Sequence, residues 1–94
     1  MRVRFTLEAL THIAGIHFYL ETRNRQAATR IVARVFAEAE RIGEFPEIGH
    51  VGVAPGTYEW TIPHLPYVIV HELDAKNAQV IIIGVFHGAQ NRPD

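Results

Sequence analysis

Ninety-four residues, 48% of them hydrophobic and 20% charged, specify one folded domain spanning residues 1–94, too short for a second core or for an active site between domains. The lack of cysteine excludes a disulfide framework and a thiolate metal site, and no apolar run approaches the roughly 18 residues of a membrane span. The net charge of −1 hides a division: residues 1–42 hold seven Arg against four Glu (+3), whereas residues 43–94 hold Lys76 and Arg92 against Glu44, Glu47, Glu59, Glu72, Asp74 and Asp94 (−4), so only the first half can offer phosphate a basic surface.

In chain order, Arg2-Val3-Arg4-Phe5 alternates and predicts a short strand with Val3 and Phe5 on one face. It leads without a targeting segment into the fold, as expected of a cytoplasmic chain. Thr6 stands where an N-cap belongs, Glu8 follows in the first turn, and Leu10, Ile13, Ile16 or His17, and Leu20 recur at helical spacing, predicting a helix over residues 7–22. Asn24 caps a second helix whose apolar stripe is Ala28, Ile31, Val35, Ala39 and Ile42, with Gly43 as its stop. So short a link makes the two helices an antiparallel hairpin.

From Gly43 to Gly56 the Gly and Pro residues predict an ordered crossover loop anchored by Phe45, Ile48 and Val51. Thr57–Ile62 alternates, residues 63–66 turn, and Tyr67–Leu73 is β-branched and aromatic, giving two more strands. Asp74–Ala78 turns again. Val80–Phe86 is apolar on both faces, as expected of a central strand covered on one side by helices and on the other by something else. The order strand-helix-helix-strand-strand-strand implies an α+β domain, a helical hairpin packed on a mostly antiparallel four-stranded sheet.

Six histidines invite a metal reading, but their spacing shows neither His-Glu-x-x-His nor a paired ligand set; neither a metal nor a cofactor is expected. His71 and Glu72 fall on opposite faces of one strand, the ordinary antiparallel pattern. Arg23, Arg30, Arg34 and Arg41 recur near helical spacing and read as a solvated stripe or as a nucleic-acid or partner contact. Tyr58 and Trp60 flank Glu59 on a strand and suit either the core or an interface. His87 ends the last strand, where a turn histidine or a functional one would stand. Arg92, the one arginine of the second half, lies just beyond it.

Several stretches together resemble the RelE/ParE superfamily of bacterial toxins. His12-Ile13-Ala14-Gly15-Ile16-His17-Phe18-Tyr19-Leu20 is similar to the family's first-helix pattern, with His12 at the usual acid. Pro46-Glu47-Ile48-Gly49-His50 resembles a loop ending in Gly-Arg, Pro55-Gly56-Thr57-Tyr58-Glu59 a Gly-x-Arg-Glu stretch, and Pro66–Leu73 a Tyr-x-Ile-x-Tyr-Arg strand. Ile83-Gly84-Val85-Phe86-His87-Gly88-Ala89-Gln90 resembles the last strand and its His-Gly-Ala-Arg end.

The resemblance implies the toxin of a type II toxin–antitoxin pair, inhibiting growth, serving plasmid stabilization, and neutralised by a cognate antitoxin, ParD-like or RelB-like. It divides into two activities: ParE-like members poison DNA gyrase, and RelE-like members cleave mRNA on the ribosome. Cleavage needs a base, an acid and cations at the phosphate. His50, Tyr58, Glu72 and Gln90 occupy the positions where the family pattern offers Arg, and this favours gyrase inhibition by binding. The alternatives are a ribosome-dependent mRNA endonuclease, with His87 as its catalytic candidate, and an inactive family member. On the ParE-like reading His87, Gln90, Asn91 and Arg92 form the target-binding segment. Tyr58 and Trp60 are assigned to the antitoxin, whose amphipathic helix or added strand would cover the uncovered sheet face and the groove beside the hairpin.

Overall fold

The structure, a computed structural model, describes residues 1–88. Its elements are β1 (Arg2–Phe5), α1 (Leu7–Glu21), α2 (Arg25–Glu44), β2 (His50–Val51), β3 (Thr57–Thr61), β4 (Tyr67–Asp74), a 3-10 turn at Ala75–Asn77, and β5 (Gln79–His87). The sheet order is β1-β5-β4-β3-β2. Only β1 and β5 run parallel, as the helical crossover between β1 and the rest of the sheet requires. The expected α+β architecture is present with one strand more than anticipated: β2, two residues inside the crossover loop, pairs antiparallel with β3. Gly49 makes this possible. Its φ is +89°, and a Cβ there would collide with the Glu59 carbonyl oxygen, so the chain reaches the β3 edge only through a residue without a side chain.

Both helix starts follow from their caps. Thr6 Oγ1 accepts the Ala9 N–H at 3.1 Å and Asn24 Oδ1 accepts that of Ala27 at 3.0 Å, each satisfying a donor the helix leaves unpaired. Gly43 does not stop α2, which runs on to Glu44 and is capped by Phe45. Its role is packing: a Cβ at Gly43 would lie 2.7 Å from Val3 Cγ2 and 2.8 Å from the Met1 carbonyl oxygen, so the absent side chain is what lets β1 approach the helix. Gly15 of α1 has open space around its Cβ position. Gly15→Ala should therefore raise stability by about 1 kcal/mol through helix propensity, while Gly43→Ala should lower it by about 1–3 kcal/mol through overpacking despite the same propensity gain. Urea denaturation of the two variants reads the opposite signs.

The core joins Ala9 and Ile13 of α1 and Val35, Ala39 and Ile42 of α2 to Ile62 and to Ile69, Val80, Ile82 and Val85 of the sheet. α1 does not bury its whole expected stripe. Ile13 is buried, Ile16 and Leu20 are half-buried, and Leu10 is exposed, together with Leu7 (76%) and Phe18 (74%). The reason lies in the sheet edge. β1 ends at Phe5, opposite Ile82, so the rest of β5 has no strand on that side. α1 runs along this open edge and satisfies it: Thr6 N–H donates to the Ile82 carbonyl at 3.0 Å, and His12 Nδ1 accepts the Val85 N–H at 3.2 Å. A helix serving an edge leaves more of its circumference to solvent than one lying across a face.

Candidate functional site

Because α1 borders β5, its C-terminal half and the end of the sheet enclose a groove of about 900 Å³, walled by Ile16, Tyr19 and Leu20 on one side and by Pro66, Tyr67 and Phe86 on the other. The sheet end is clamped: Gly88 N–H donates to the Pro66 carbonyl at 2.6 Å, and the His87 ring meets that of Tyr67 edge-on at 5.7 Å. Burial, and secondarily Tyr19, pushes the Tyr67 hydroxyl above its ordinary pKa of 10.0, so it remains a neutral hydrogen-bonding group. Arg34 Nη2 fixes the adjoining turn by donating to the Pro63 carbonyl at 2.9 Å. In the same turn His64 holds a φ of +67°, a conformation that is uncommon outside glycine.

The sheet face turned away from the hairpin is assembled by register. Strand alternation and the pairs Glu59↔Val70, Thr61↔Val68, Thr57↔Glu72 and Val68↔Phe86 place these side chains on one surface. Glu59 is its most consequential member, a carboxylate only 5% exposed. Val53 N–H donates to its Oε2 at 3.4 Å, and His50 Nε2 lies 3.7 Å from its Oε1. The loop that carries Val53 is tied down by Thr57, whose hydroxyl donates to the Ala54 carbonyl at 2.6 Å. Near the sheet's end His50, Glu59, Thr61, Val68 and His87 line a cavity of about 430 Å³.

The sequence candidates are therefore distributed unequally. His87 stands at the end of β5, between the groove and this cavity. Gln90, Asn91 and Arg92 lie outside the described residues. Tyr58 and Trp60 sit on the opposite side of β3 from Glu59, both half-buried. The Tyr58 ring stacks on His71 at 5.5 Å, and Trp60 Nε1 donates to Glu38 Oε1 of α2 at 2.8 Å. Of the positions where the family pattern offers arginine, His50 and Glu72 share a face and Tyr58 faces the other way. In the proposed arginine stripe, Arg34 is held by Pro63 and by Glu38 at 3.9 Å, and Arg23 lies over the Tyr19 ring at 3.8 Å. Glu59 was not among the sequence candidates. Its signal was the alternation Tyr58-Glu59-Trp60, which turns the carboxylate away from two aromatic rings.

Among the described residues no three His, Asp or Glu side chains converge on a position for a metal ion, and no helix is long and apolar enough to cross a membrane. What the site can do chemically is offer a wide apolar groove, two histidines and a buried carboxylate to a partner.

The family model for the ParE toxin of the type II toxin–antitoxin system parDE matches residues 3–92. A protein of Sinorhizobium fredii described as "Putative toxin Y4kP" is 33% identical over 92 residues, which cover 98% of this chain and 93% of that protein. Among solved structures, the chromosomal ParDE system from P. aeruginosa superposes with a TM-score of 0.82 at 14% identity, over 93% of this chain and 95% of that one. The intact E. coli RelBE toxin–antitoxin complex does so with a TM-score of 0.68 at 16% identity, over 96% and 98%. At such identities the structural likeness is one of fold. The sequence match nearly spans the chain and agrees with the strand-hairpin-sheet order built up above, so the chain belongs to the ParE family of type II toxins, within the RelE/ParE superfamily.

Proposed function

We propose that this toxin acts by binding DNA gyrase and is neutralised by a cognate antitoxin, in the cytoplasm, as a plasmid-stabilization or equivalent chromosomal module. The observation that carries the reading is the character of the hairpin-free sheet face. Glu59 is buried on β3, and Glu72 and Asp74 follow on β4. The cations of the described sheet strands are Arg2 and Arg4, on β1 at the far edge. A surface that cradles a scissile phosphate needs positive groups where charge develops; a carboxylate there opposes it. Inhibition by protein contact has no such requirement.

The groove beside α1 supplies the antitoxin's contact surface in that reading, since its apolar walls, Tyr19 among them, and the neighbouring exposed Phe18 have the composition of a protein interface. One arrangement favours the ribonuclease reading in turn: His50 and His87 line a common cavity with Glu59, side-chain types that serve as acids and bases in phosphodiester cleavage. Expression in growing cells separates the two. Gyrase poisoning should produce chromosome breaks and loss of negative supercoiling while total mRNA stays full-length. Early, site-specific fragmentation of mRNA with intact chromosomes would overturn the gyrase reading.

A further inference from the structure

Gly15 stands in the middle of α1 without the fold requiring it there. A Cβ at this position would meet nothing within 4 Å, the backbone is ordinary helix, and glycine weakens a helix interior relative to alanine. The open space in front of it is the groove beside α1, which Gly15 lines one turn after His12 and one turn before Tyr19. The missing side chain therefore makes a low point in that wall.

The opposite wall carries a second, independent feature. Tyr67 lines the groove and is 6% exposed, and among the described residues its hydroxyl has no hydrogen-bond partner, whereas buried polar groups are ordinarily paired. Burial, with Tyr19 adding to it, holds this hydroxyl above its usual pKa of 10.0, so it keeps a proton to donate. No Asp, Glu, Lys or Arg lines the groove among the described residues. A cation is held at its Tyr19 end: Arg23 Nη1 donates to the Tyr19 carbonyl at 3.1 Å, and the guanidinium lies 3.8 Å from the centre of the Tyr19 ring.

We infer that a helix of the antitoxin lies in this groove with a small residue, Gly, Ala or Ser, over Gly15 and, one turn away, a carboxylate that accepts a hydrogen bond from the Tyr67 hydroxyl and faces the Arg23 charge. The inference rests on the toxin–antitoxin reading and names the partner's chemistry at two points. Helices approach most closely where the side chains at their crossing are small, and the lining from Thr11 to Leu20 gives about 14 Å of helix for the partner to follow. The one-turn spacing follows from Tyr19, four residues after Gly15 and the neighbour of Tyr67. A neutral carbonyl would accept the same hydrogen bond and leave Arg23 unanswered. A cationic side chain offers Tyr67 no acceptor and meets Arg23 with like charge, and an apolar one seals the hydroxyl off unpaired, which is unfavourable. Residues 1–42, which supply the hairpin, carry +3, so an acidic segment is drawn to this side, whereas a second copy of the chain would bring the same positive hairpin against it.

The test is calorimetric titration of the purified toxin with the product of the adjacent reading frame. Gly15→Leu fills open space, so the melting temperature should hold or rise while binding weakens about 100-fold. Tyr67→Phe removes a hydroxyl the fold does not use, so the melting temperature should hold while binding weakens about tenfold. Exchanging the antitoxin's Asp and Glu residues one at a time for Asn and Gln should reveal one whose effect is not additive with Tyr67→Phe. Wild-type affinity in either toxin variant, or acidic exchanges that are all additive, would overturn the inference and leave the toxin–antitoxin reading in place. Wild-type antitoxin affinity in Gly15→Leu together with loss of gyrase binding, or of self-association by the toxin alone, would give the groove to that other occupant. Failure of the wild-type protein to bind the product at all would overturn both readings.

Discussion

Replacement of His71 by alanine should lower stability by about 2–4 kcal/mol, through the cavity left by a buried ring and the loss of a buried hydrogen bond. The residue is 0% exposed. It sits on β4 opposite Tyr58 and Ile82, with its ring stacked on Tyr58. Its Nε2 is 2.9 Å from the Pro46 carbonyl oxygen, which can only accept, so Nε2 carries the proton and donates. Nδ1 is buried without a partner. This bond holds the segment after α2 onto the sheet, and His50 follows four residues after Pro46.

The same geometry fixes a pH dependence. Burial pushes the His71 pKa below its ordinary 6.5, and the bond to Pro46 returns only part of the shift. The folded state therefore takes up the proton at lower pH than the unfolded chain does, and between the two values the unfolded state binds more protons. Stability from His71 is fully present above about pH 6.5 and is lost as pH falls from there through the folded value. Urea denaturation at a series of pH values from 8 to 4.5 measures it. The difference in stability between wild type and a His71→Phe variant should shrink or reverse on acidification through that window, and a constant difference would show that the ring does not titrate as its burial requires.

The second large effect concerns activity. Removing residues 89–94, or making the single change Arg92→Ala, should abolish growth inhibition while thermal stability and antitoxin binding stay near wild type. The cut follows Gly88, whose N–H pins the end of β5 to Pro66, so the fixed base is kept. Arg92 is the one arginine of the second half, and a charge-assisted contact from it to the target is worth about 1.5–3 kcal/mol, or roughly 10- to 100-fold in affinity. Binding of the purified variant to its target, set beside its melting temperature, reads both quantities. Full toxicity without the segment would move the target surface to the groove beside α1 or to the arginines of α2.

How much of this was legible in the sequence differs from element to element. The starts of α1 and α2 were, because Thr6 and Asn24 are caps whose side chains act on the nearest turn and need nothing distant. β2 was not: two residues between Gly49 and Gly52 carry no period, and their pairing depends on where β3 lies. Gly43 could be read as a stop because the same missing side chain serves a C-cap and a close approach, and only the position of β1 decides between them.

The candidate site divides along the same line. His87 was legible from the end of an apolar run. Glu59 was not, since a carboxylate on an alternating strand ordinarily meets water; the loop of residues 52–56 folding over it is a tertiary event. His71 read as part of a polar strand face and proved buried, because the Pro46 segment closes over it. The exposed apolar side of α1 was hidden by a periodicity that records which residues are apolar, and does not record how much of a helix its neighbours cover.

Gyrase inhibition by binding, proposed above for this ParE-family chain, can be read with purified components. Purified gyrase, relaxed plasmid and ATP are incubated with increasing toxin, while a parallel reaction holds programmed ribosomes with defined mRNA. Binding to gyrase should block supercoiling or let cleaved plasmid accumulate, the antitoxin should restore the reaction, and the mRNA should remain whole. Unimpaired supercoiling at saturating toxin, with mRNA cut on the ribosome and the cutting lost in His87→Ala, would contradict it.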